Sequence, residues 1–318
     1  MIINDVLIVG NYNVGNFGDD LLLQSCLQNL HTKNVKVLSP NNSDFTTYPA
    51  GFRSVFNLKR YLSPVIAISR SRNVLFGGGG IFNSDNFYSF LIWIPILITS
   101  IVLRKNIYLF GHSFSSKPGY LLTFLLNKVN WITCRDIRSL SFLESAGLNN
   151  TSLNKDLALE LKFEPIKKSI QKYLLVNYRT YKNINLDVIK KLDYKLQQKA
   201  KDLNLSILYC AFDYELDSQI FKDLDHKYIL AKDLEDFLPH IKYFACMRLH
   251  ACLYSLKNNI HGVALSYASK VKGLLETYDF ENIVDLQESN LDLNNLDFND
   301  KLINFNLVSD NPWNIINY

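Results

Sequence analysis

Three residues near the C-terminal end of the chain have side chains that can bind anions or move protons. Arg248 and His250 follow an apolar run that ends at Cys246, and Lys270 follows a second run that ends at Ser266. Each run leads directly into a helical pattern, which predicts two successive strand-to-helix connections. In an open α/β sheet, the carboxyl ends of the strands and the N-termini of the next helices face one crevice that favours anions. The sequence therefore predicts a phosphate or carboxylate site at Arg248, His250 and Lys270.

A glycine-containing turn near the N-terminus is a candidate for close ligand approach. Its glycines Gly10, Gly15 and Gly18 have the spacing G-x4-G-x2-G. That spacing fits neither the dinucleotide-binding fingerprint nor a phosphate-binding loop with its Lys-Ser/Thr pair. A tight turn with Asp19 near a helix start and a loop that contacts a ligand both fit it. Gly15, Asn16 and Asp19 are therefore candidate substrate contacts.

A second glycine run, residues 77–80, directly follows an apolar strand pattern. Four glycines lose much chain entropy on folding, and apolar flanks are not typical of a flexible linker. The run therefore favours close domain packing or close approach of a ligand, with Gly78 and Gly79 as candidate substrate contacts.

Polar residues also follow other apolar runs. Arg135, His112 and Arg179 each lie just past such a run, so all three are candidate ligand contacts at the carboxyl edge of a sheet. For Arg135 the alternative is a structural role, in which it caps local carbonyl groups or pairs with Asp136.

Composition limits the class of protein. The chain has 318 residues, 48% of them hydrophobic, and a formal net charge of +4. This length allows two domains, and so small and dispersed a charge argues against a nucleic-acid partner. The 5 cysteines are odd in number and none has CxxC spacing, which argues against a zinc or redox site and favours a reducing compartment. The N-terminus lacks the features of a signal peptide, so we expect a cytoplasmic protein.

Residues 87–103 form an almost continuous apolar run that precedes Arg104 and Lys105. With 17 residues, interrupted by Pro95, the run is at the lower length limit for a membrane-spanning helix. One interpretation is a buried helix of the first domain. The other is a surface helix that docks on the inner face of the cell membrane, which would carry a lipid-linked substrate. In neither case do we expect the run to cross the bilayer.

Apolar runs alternate with helical patterns along the chain, which is typical of parallel sheets with crossover helices. The predicted strands are 6–9, 35–38, 73–76, 107–110 and 131–133 in the first half, and 173–178, 206–210, 228–230, 243–246 and 262–266 in the second. A linker at 155–172 separates the two sets. We therefore predict an α/β chain with two Rossmann-like domains, 1–160 and 161–318, whose parallel sheets face a central cleft. The tail after Asp285 carries no usable motif.

Taken in order, the short motifs resemble those of the polysaccharide pyruvyl transferase family. The matches are Gly15-Asn16-Phe17-Gly18-Asp19 with G-N-x-G-D, the glycine run at 77–80, Arg135-Asp136 and Ser139 with R-D-x-x-S, Asp156-Leu157-Ala158-Leu159 with D-P-A-L, Arg248-Leu249-His250, and Ser266-Tyr267 with Lys270-Val271. They span residues 6–275. Leu157 replaces the usual Pro and Met247 the usual Ser, and residues 111–114 replace a second glycine-rich turn, which leaves the acceptor specificity open.

The resemblance implies a GT-B-like fold and transfer of pyruvate from phosphoenolpyruvate onto two hydroxyls of a sugar as a ketal. It implies no metal or redox cofactor, and an acceptor that is a sugar or a lipid-linked oligosaccharide for a cell-surface polysaccharide. The donor would lie in the C-terminal domain, and the acceptor beside the glycine-rich loops of the N-terminal domain. By resemblance, Arg135 pairs with an anionic group, Lys270 holds the phosphate, and His250 transfers a proton or contacts the phosphate. Arg248 supports the same pocket, and Ser266 is a further candidate contact.

Two other classes of protein stay open. A glycosyltransferase that uses a nucleotide sugar would share the GT-B fold, and it would need an acidic ribose clamp in the second domain, which the sequence does not place. A non-catalytic carbohydrate-binding assembly protein would have no need for His250 and Lys270 in one crevice.

Overall fold

The computed structural model of the chain describes residues 4–39, 58–82, 87–163, 166–182, 184–287, 296, 298 and 311–316. The chain divides into two compact units. The first comprises Met1–Val14, Asp19–Lys162 and Asn306–Tyr318, and the second comprises Gly15–Gly18 and Phe163–Phe305. Each unit has a six-stranded parallel sheet in its described part, which confirms the predicted α/β class.

The N-terminal half of the chain supplies the first sheet. Its strands are β1 (Asn4–Val9), β2 (Val35–Leu38), β3 (Ser71–Gly79), β4 (Asn106–His112), β5 (Trp131–Cys134) and β6 (Thr151–Leu153). The helices of this half are α1 (Phe17–Asn29), α2 (Leu58–Ser69), α3 (Phe87–Val102), α4 (Tyr120–Leu126), α5 (Ile137–Ser145) and α6 (Leu157–Glu160). The strand order is β2-β1-β3-β4-β5-β6.

The second unit repeats this alternation. Its strands are β7 (Tyr173–Asn177), β8 (Ser206–Ala211), β9 (Tyr228–Leu230), β10 (Ile241–Cys246), β11 (His261–Ser266) and β12 (Ile283–Asp285). Its helices are α7 (Leu186–Asp202), α8 (Leu216–Asp223), α9 (Leu249–Lys257) and α10 (Ser269–Thr277). The strand order is β12-β11-β10-β7-β8-β9.

The first sheet is apolar along its strands because helices cover it. Val6, Leu7, Ile8 and Val9 are fully buried in β1. One core cluster collects inward side chains from α2, α3, α4 and α5, so these four helices form a single layer on the same face of the sheet. Among the described residues, no helix is long and apolar enough to cross a membrane.

The structure adds elements that the sequence pattern did not predict. These are the short edge strands β6 and β12 and the helices α2 and α6. It also extends β3 through Gly79, so that the first three glycines of the run at 77–80 belong to the strand. Gly78 and Gly79 have φ values of 86° and 88°, which side chains other than glycine rarely adopt. The glycine run therefore ends a strand in an unusual backbone conformation.

Candidate active site

The strand orders give each described sheet a position where successive connections run in opposite directions. In the first sheet this switch point lies between β1 and β3, and in the second it lies between β7 and β10. Ligands of open α/β sheets bind at such points, outside the carboxyl ends of the strands. The ends of β1, β3, β7 and β10, together with the turns and first helical residues that follow them, carry most of the residues singled out from the sequence, so they define the candidate site in each unit.

Arg248 follows β10 and directly precedes α9. Its Nε donates to both carboxylate oxygens of Asp217 at 2.9 Å, and its Nη2 donates to Asp217 Oδ1 at 2.6 Å. The Asp213 carboxylate lies 3.1 Å from Nη2. Burial acts to lower the pKa of Arg248, but Asp217 and Asp213 outweigh it and the pKa is raised. Two carboxylates therefore already neutralise this cation, which suits it to positioning its neighbours.

Asp217 connects Arg248 to the rest of the switch point. This fully buried residue accepts hydrogen bonds from the backbone N–H groups of Phe212 at 3.1 Å and Asp213 at 3.0 Å, and from Asn177 Nδ2 at 2.9 Å. Asn177, the last residue of β7, accepts the backbone N–H of Arg248 at 3.1 Å. The network thus fixes the ends of β7 and β8 to the start of α9.

His250 lies in the first turn of α9 and packs against Gly18 of the N-terminal glycine turn. A Cβ on Gly18 would lie 2.1 Å from His250 Nδ1 and 2.7 Å from its Cγ. The backbone N–H of Phe17 donates to the carbonyl of Phe212 at 2.8 Å, which holds the turn in this place. Gly18 therefore leaves the space that the imidazole occupies.

Gly15 and Asn16 shape the same turn. Gly15 has a φ of 88°, and its carbonyl accepts the backbone N–H of Tyr214 at 2.7 Å. Asn16 Oδ1 accepts the backbone N–H of Gly18 at 3.2 Å, and the Asn16 backbone forms a bridge with Asp213. Both residues therefore fix the backbone beside His250.

Arg179 lies two residues after β7, on the other side of the switch point from Arg248. Its Nη1 donates to the Tyr267 hydroxyl at 3.0 Å, and its guanidinium carbon lies 5.0 Å from the centre of the Tyr267 ring. Its backbone N–H points to Met247 Sδ at 3.2 Å. The buried Nε has no hydrogen-bond partner, and no carboxylate of the described residues forms an ion pair with this side chain. Arg179 therefore differs from Arg248 in offering an unneutralised charge at the sheet edge.

The next strand of this sheet, β11, carries the other residues predicted for the site. Ser266 is fully buried, and its hydroxyl donates to the carbonyl of Ala268 at 3.2 Å. Lys270 lies in the first turn of α10, as predicted, and its side chain is outside the described part of the structure. In the second unit, the ends of β7, β10 and β11 and the first turns of α9 and α10 thus bring five predicted residues to one sheet edge: Arg179, Arg248, His250, Ser266 and Lys270.

The switch point of the first sheet contains a cavity of about 360 Å³. Its lining includes Asn11, Asp19, Gly78, Gly79 and Trp93. Asn11 Nδ2 and Asp19 Oδ2 are 3.4 Å apart, so an amide and a carboxylate share one wall. Polar groups that converge in a pocket of this size are typical of a small-molecule site.

Arg135 is buried at the end of β5 in the first unit. Its Nη1 donates to Asp156 Oδ2 at 2.6 Å, and its Nε donates to the Ser113 hydroxyl at 2.7 Å. Ser113 in turn donates to Asp136, whose carboxylate caps α5 by accepting the Ser139 backbone N–H at 2.7 Å. The R-D-x-x-S residues and Asp156 therefore form one polar network. The acid paired with Arg135 is Asp156 rather than the neighbouring Asp136.

His112, at the end of β4, is fully buried and is not part of the cavity lining. Its Nε2 donates to the carbonyl of Phe76 at 3.1 Å, and its Nδ1 has no partner. Burial lowers the pKa of His112 to about 4, so the imidazole is neutral at pH 7. Within the part of the chain that the structure describes, no cluster of three or more His, Cys, Asp or Glu side chains could hold a metal ion.

The sequence model of the polysaccharide pyruvyl transferase family matches residues 16–269. The chain belongs to the polysaccharide pyruvyl transferase family. It is accordingly a transferase enzyme that acts in polysaccharide synthesis, and its family implies a sugar or polysaccharide acceptor. A search of curated protein sequences finds no match.

Solved structures similar to this pyruvyl transferase have GT-B folds. S. aureus MnaA, solved with UDP, has a TM-score of 0.60 at 10% identity and covers 86% of this chain and 82% of its own. UDP-GlcNAc 2-epimerase from Methanocaldococcus jannaschii has a TM-score of 0.54 at 8% identity, with 88% of each chain covered. A glycosyltransferase from Rickettsia africae has a TM-score of 0.51 at 11% identity and covers 91% and 86%. At such identities the likeness concerns the fold alone, and the predicted GT-B-like architecture is confirmed.

Sequence reasoning did not single out the acids that support the pyruvyl transferase site, and it named Tyr267 in a motif without assigning it a contact. Asp217 and Asp213 bind Arg248, and Tyr267 binds Arg179. Asp217 had a weak signal in the sequence, because it lies in the first turn of a helix that follows a strand. The partner of that acid could not be identified, since 31 residues separate it from Arg248.

Proposed function

We propose that this pyruvyl transferase takes pyruvate from phosphoenolpyruvate and attaches it as a ketal to two hydroxyls of a sugar. The observation that carries the proposal is Arg179. Arg179 lies at the switch point of the second sheet and has no acid partner among the described residues. The family to which the chain belongs transfers pyruvate. Phosphoenolpyruvate carries a carboxylate and a phosphate, and both need such cations.

In the donor site that we propose, the role of each basic residue depends on whether an acid already binds it. Arg248 already binds Asp217 and Asp213, so its proposed role is to hold α9 and His250 in position. Arg179 is half-buried and no carboxylate of the described residues pairs with it, so we propose that its guanidinium binds an anionic group of the donor. Lys270 lies in the first turn of α10, where the helix dipole adds to the attraction for phosphate.

The proposed reaction adds a proton to the methylene carbon of phosphoenolpyruvate, C3. This makes C2, the carbon that carries the phosphate, electron-poor and open to attack. One sugar hydroxyl adds to C2 of phosphoenolpyruvate while C3 gains a proton, and the second hydroxyl then displaces inorganic phosphate from C2. The two hydroxyl protons end on C3 and on the released phosphate, so no cofactor enters the balance. His250 is our candidate for the proton transfer, because its imidazole is partly exposed and held by the first turn of α9.

Arg135 and the first unit complete the proposal. The guanidinium of Arg135 binds Asp156 and Ser113, so we propose that Arg135 orders the end of β5 beside the site. The cavity with Asp19 and Asn11 supports an acceptor sugar there, since a carboxylate and an amide bind hydroxyl groups well.

Ligand-induced stabilisation tests the donor. At about 100 times its Kd, phosphoenolpyruvate should stabilise the fold by roughly 2.7 kcal/mol, which thermal unfolding detects. Arg179→Gln should raise the Kd at least about tenfold, because a charge-assisted hydrogen bond is lost. The matched control is Arg138→Gln, which removes an exposed arginine of α5.

Two outcomes would contradict the proposal. Stabilisation by a nucleotide sugar with none by phosphoenolpyruvate would assign the chain to a different donor. Normal binding of phosphoenolpyruvate by Arg179→Gln would leave phosphoenolpyruvate as the donor and would show that Arg179 does not contact it.

A further inference from the structure

Helix α4 presents apolar side chains to solvent. Its inward residues Leu122, Leu125 and Leu126 belong to the core of the first unit. On its other side, Tyr120 is 99% exposed and Phe124 is 62% exposed. Two aromatic rings on a seven-residue helix are a large apolar area to leave in water.

Helix α3 continues this surface. Its inward residues, Trp93 among them, lie in the same core as those of α4, whereas Ile98 is 39% and Val102 is 71% exposed. Because α3 and α4 belong to one helix layer over the sheet, their outward side chains face the same side of the first unit. We call the exposed residues Ile98, Val102, Tyr120, Leu121 and Phe124 the outer face.

The outer face lies in a strongly basic part of the chain. Residues 58–128 contain 8 Lys or Arg and a single acid, Asp85, although the whole chain has almost equal numbers of both signs. Arg104 lies two residues after the end of α3, and Lys117 and Lys128 flank α4; all three are exposed. Lys128 Nζ lies 5.5 Å from the centre of the Phe124 ring. Apolar and cationic groups thus occur together on this side.

We propose that the outer face docks on the surface of an anionic phospholipid bilayer. Aromatic and aliphatic side chains would enter the boundary between headgroups and acyl chains, and the flanking Lys and Arg would pair with lipid phosphates. A symmetric contact with a second copy of the chain fits less well, because it would bring Lys117 and Lys128 close to their own counterparts. The docking surface goes beyond the proposed function, since it involves neither donor nor acceptor chemistry.

Vesicle flotation tests the docking surface directly. The full chain is mixed with phosphatidylcholine vesicles that either contain or lack phosphatidylglycerol, and the floating fraction is measured. We expect binding to the anionic vesicles, little binding to the neutral ones, and weaker binding as salt is added. Phe124→Glu should lower binding at least about tenfold, because it removes an aromatic ring that would be buried in the bilayer and adds a charge of the same sign as the anionic lipid.

A matched variant controls for the added charge. Tyr194 in α7 is 61% exposed, which is close to the 62% of Phe124, and Tyr194→Glu should bind vesicles like the wild type. Lys128→Gln should lower binding about fivefold through the loss of one charge at the headgroups. All of these side chains are exposed, so the variants are expected to fold, which circular dichroism checks.

Four results of the vesicle assay would each overturn the proposal. These are absence of wild-type binding to anionic vesicles, equal binding to neutral ones, wild-type binding by Phe124→Glu, and equal loss in Tyr194→Glu. A wild-type dimer that Phe124→Glu dissociates, with vesicle binding unchanged, would also overturn it and would assign the outer face to a second copy. Because the assay contains no phosphoenolpyruvate, its outcome is independent of the proposed donor.

Discussion

Replacing Gly18 with alanine should displace the His250 imidazole while leaving the fold intact. The added Cβ would lie 2.1 Å from Nδ1, whereas ordinary contact begins near 3.4 Å, so the ring must move by about 1.3 Å. The ring can rotate away, and alanine is favourable at the second residue of α1, but the new Cβ would also lie 2.9 Å from the His250 Cβ, which is fixed to the backbone of α9. We therefore expect the free energy of unfolding to fall by about 1 to 2 kcal/mol.

The reaction rate should fall as well. A misplacement of about 1 Å in a catalytic group can lower the rate about a hundredfold, and we expect that loss for phosphate release from phosphoenolpyruvate. The assay follows phosphate release with a panel of hexopyranosides as acceptors, and ¹H NMR of the His250 ring follows its displacement. His250→Gln should show a loss of at least the same size.

Gly273→Ala is the matched control, since Gly273 also lies in a helix and a Cβ there would meet no atom within 4 Å. It should keep wild-type turnover. Wild-type turnover by both Gly18→Ala and His250→Gln would refute the reasoning, because the imidazole would then have no part in the reaction. A Gly18→Ala protein that fails to fold would show that the glycine supports packing rather than the position of the ring.

The remaining predictions concern stability, measured by urea unfolding. Unfolded His112 takes up a proton near pH 6.5, while burial keeps the folded side chain neutral until about pH 4, so stability should fall by roughly 3 kcal/mol as the pH drops through that range. Arg248→Met leaves Asp217 buried without its cation and should cost about 3 to 5 kcal/mol. Gly262→Ala should cost at least about 2 kcal/mol, because its Cβ would lie 2.0 Å from the carbonyl oxygen of Phe244 on the paired strand.

Controls make these measurements specific. His112→Gln should remove most of the pH dependence between pH 6.5 and 4, and an unchanged profile would mean that other groups cause it. Lys272→Met breaks a more exposed ion pair, in which Lys272 Nζ lies 3.6 Å from the Asp285 carboxylate. It should lower the free energy of unfolding by less than about 1 kcal/mol. An equal cost for Lys272→Met and Arg248→Met would contradict the importance of burial. Gly273→Ala is again the control, here for Gly262→Ala. Equal stability of these two variants would contradict the predicted clash at Gly262.

The sequence predicts the strands of both sheets well where they are long and buried on two faces. Each of the ten predicted strands overlaps an observed one, because a parallel sheet covered by helices requires a continuous apolar run. Among the three-residue edge strands, β9 was predicted because all three of its residues are apolar, whereas β6 and β12 contain polar residues and were missed. Helix α2 was missed since Pro64 interrupts its pattern.

The candidate site was predictable as a set of positions but not as a set of contacts. Strand ends located Arg135, Arg179 and Arg248, because parallel strands bring their carboxyl ends to one edge. Which of these arginines is neutralised depends on acids far away in the sequence, such as Asp156 and Asp217, and no local pattern reveals that pairing. The predicted donor contacts of these residues stay predictions.

The pair of Arg248 and Asp217 has a consequence for how this family can vary. Losing either partner alone leaves a buried charge uncompensated, whereas replacing both with apolar residues of similar volume need not be costly. The two positions should therefore be inherited together, and a relative that has lost the acid should have lost the arginine as well. Asn177 adds a third member, because its amide contacts both residues. A survey of these three positions across the family would separate lineages that keep this framework from lineages that hold α9 in another way.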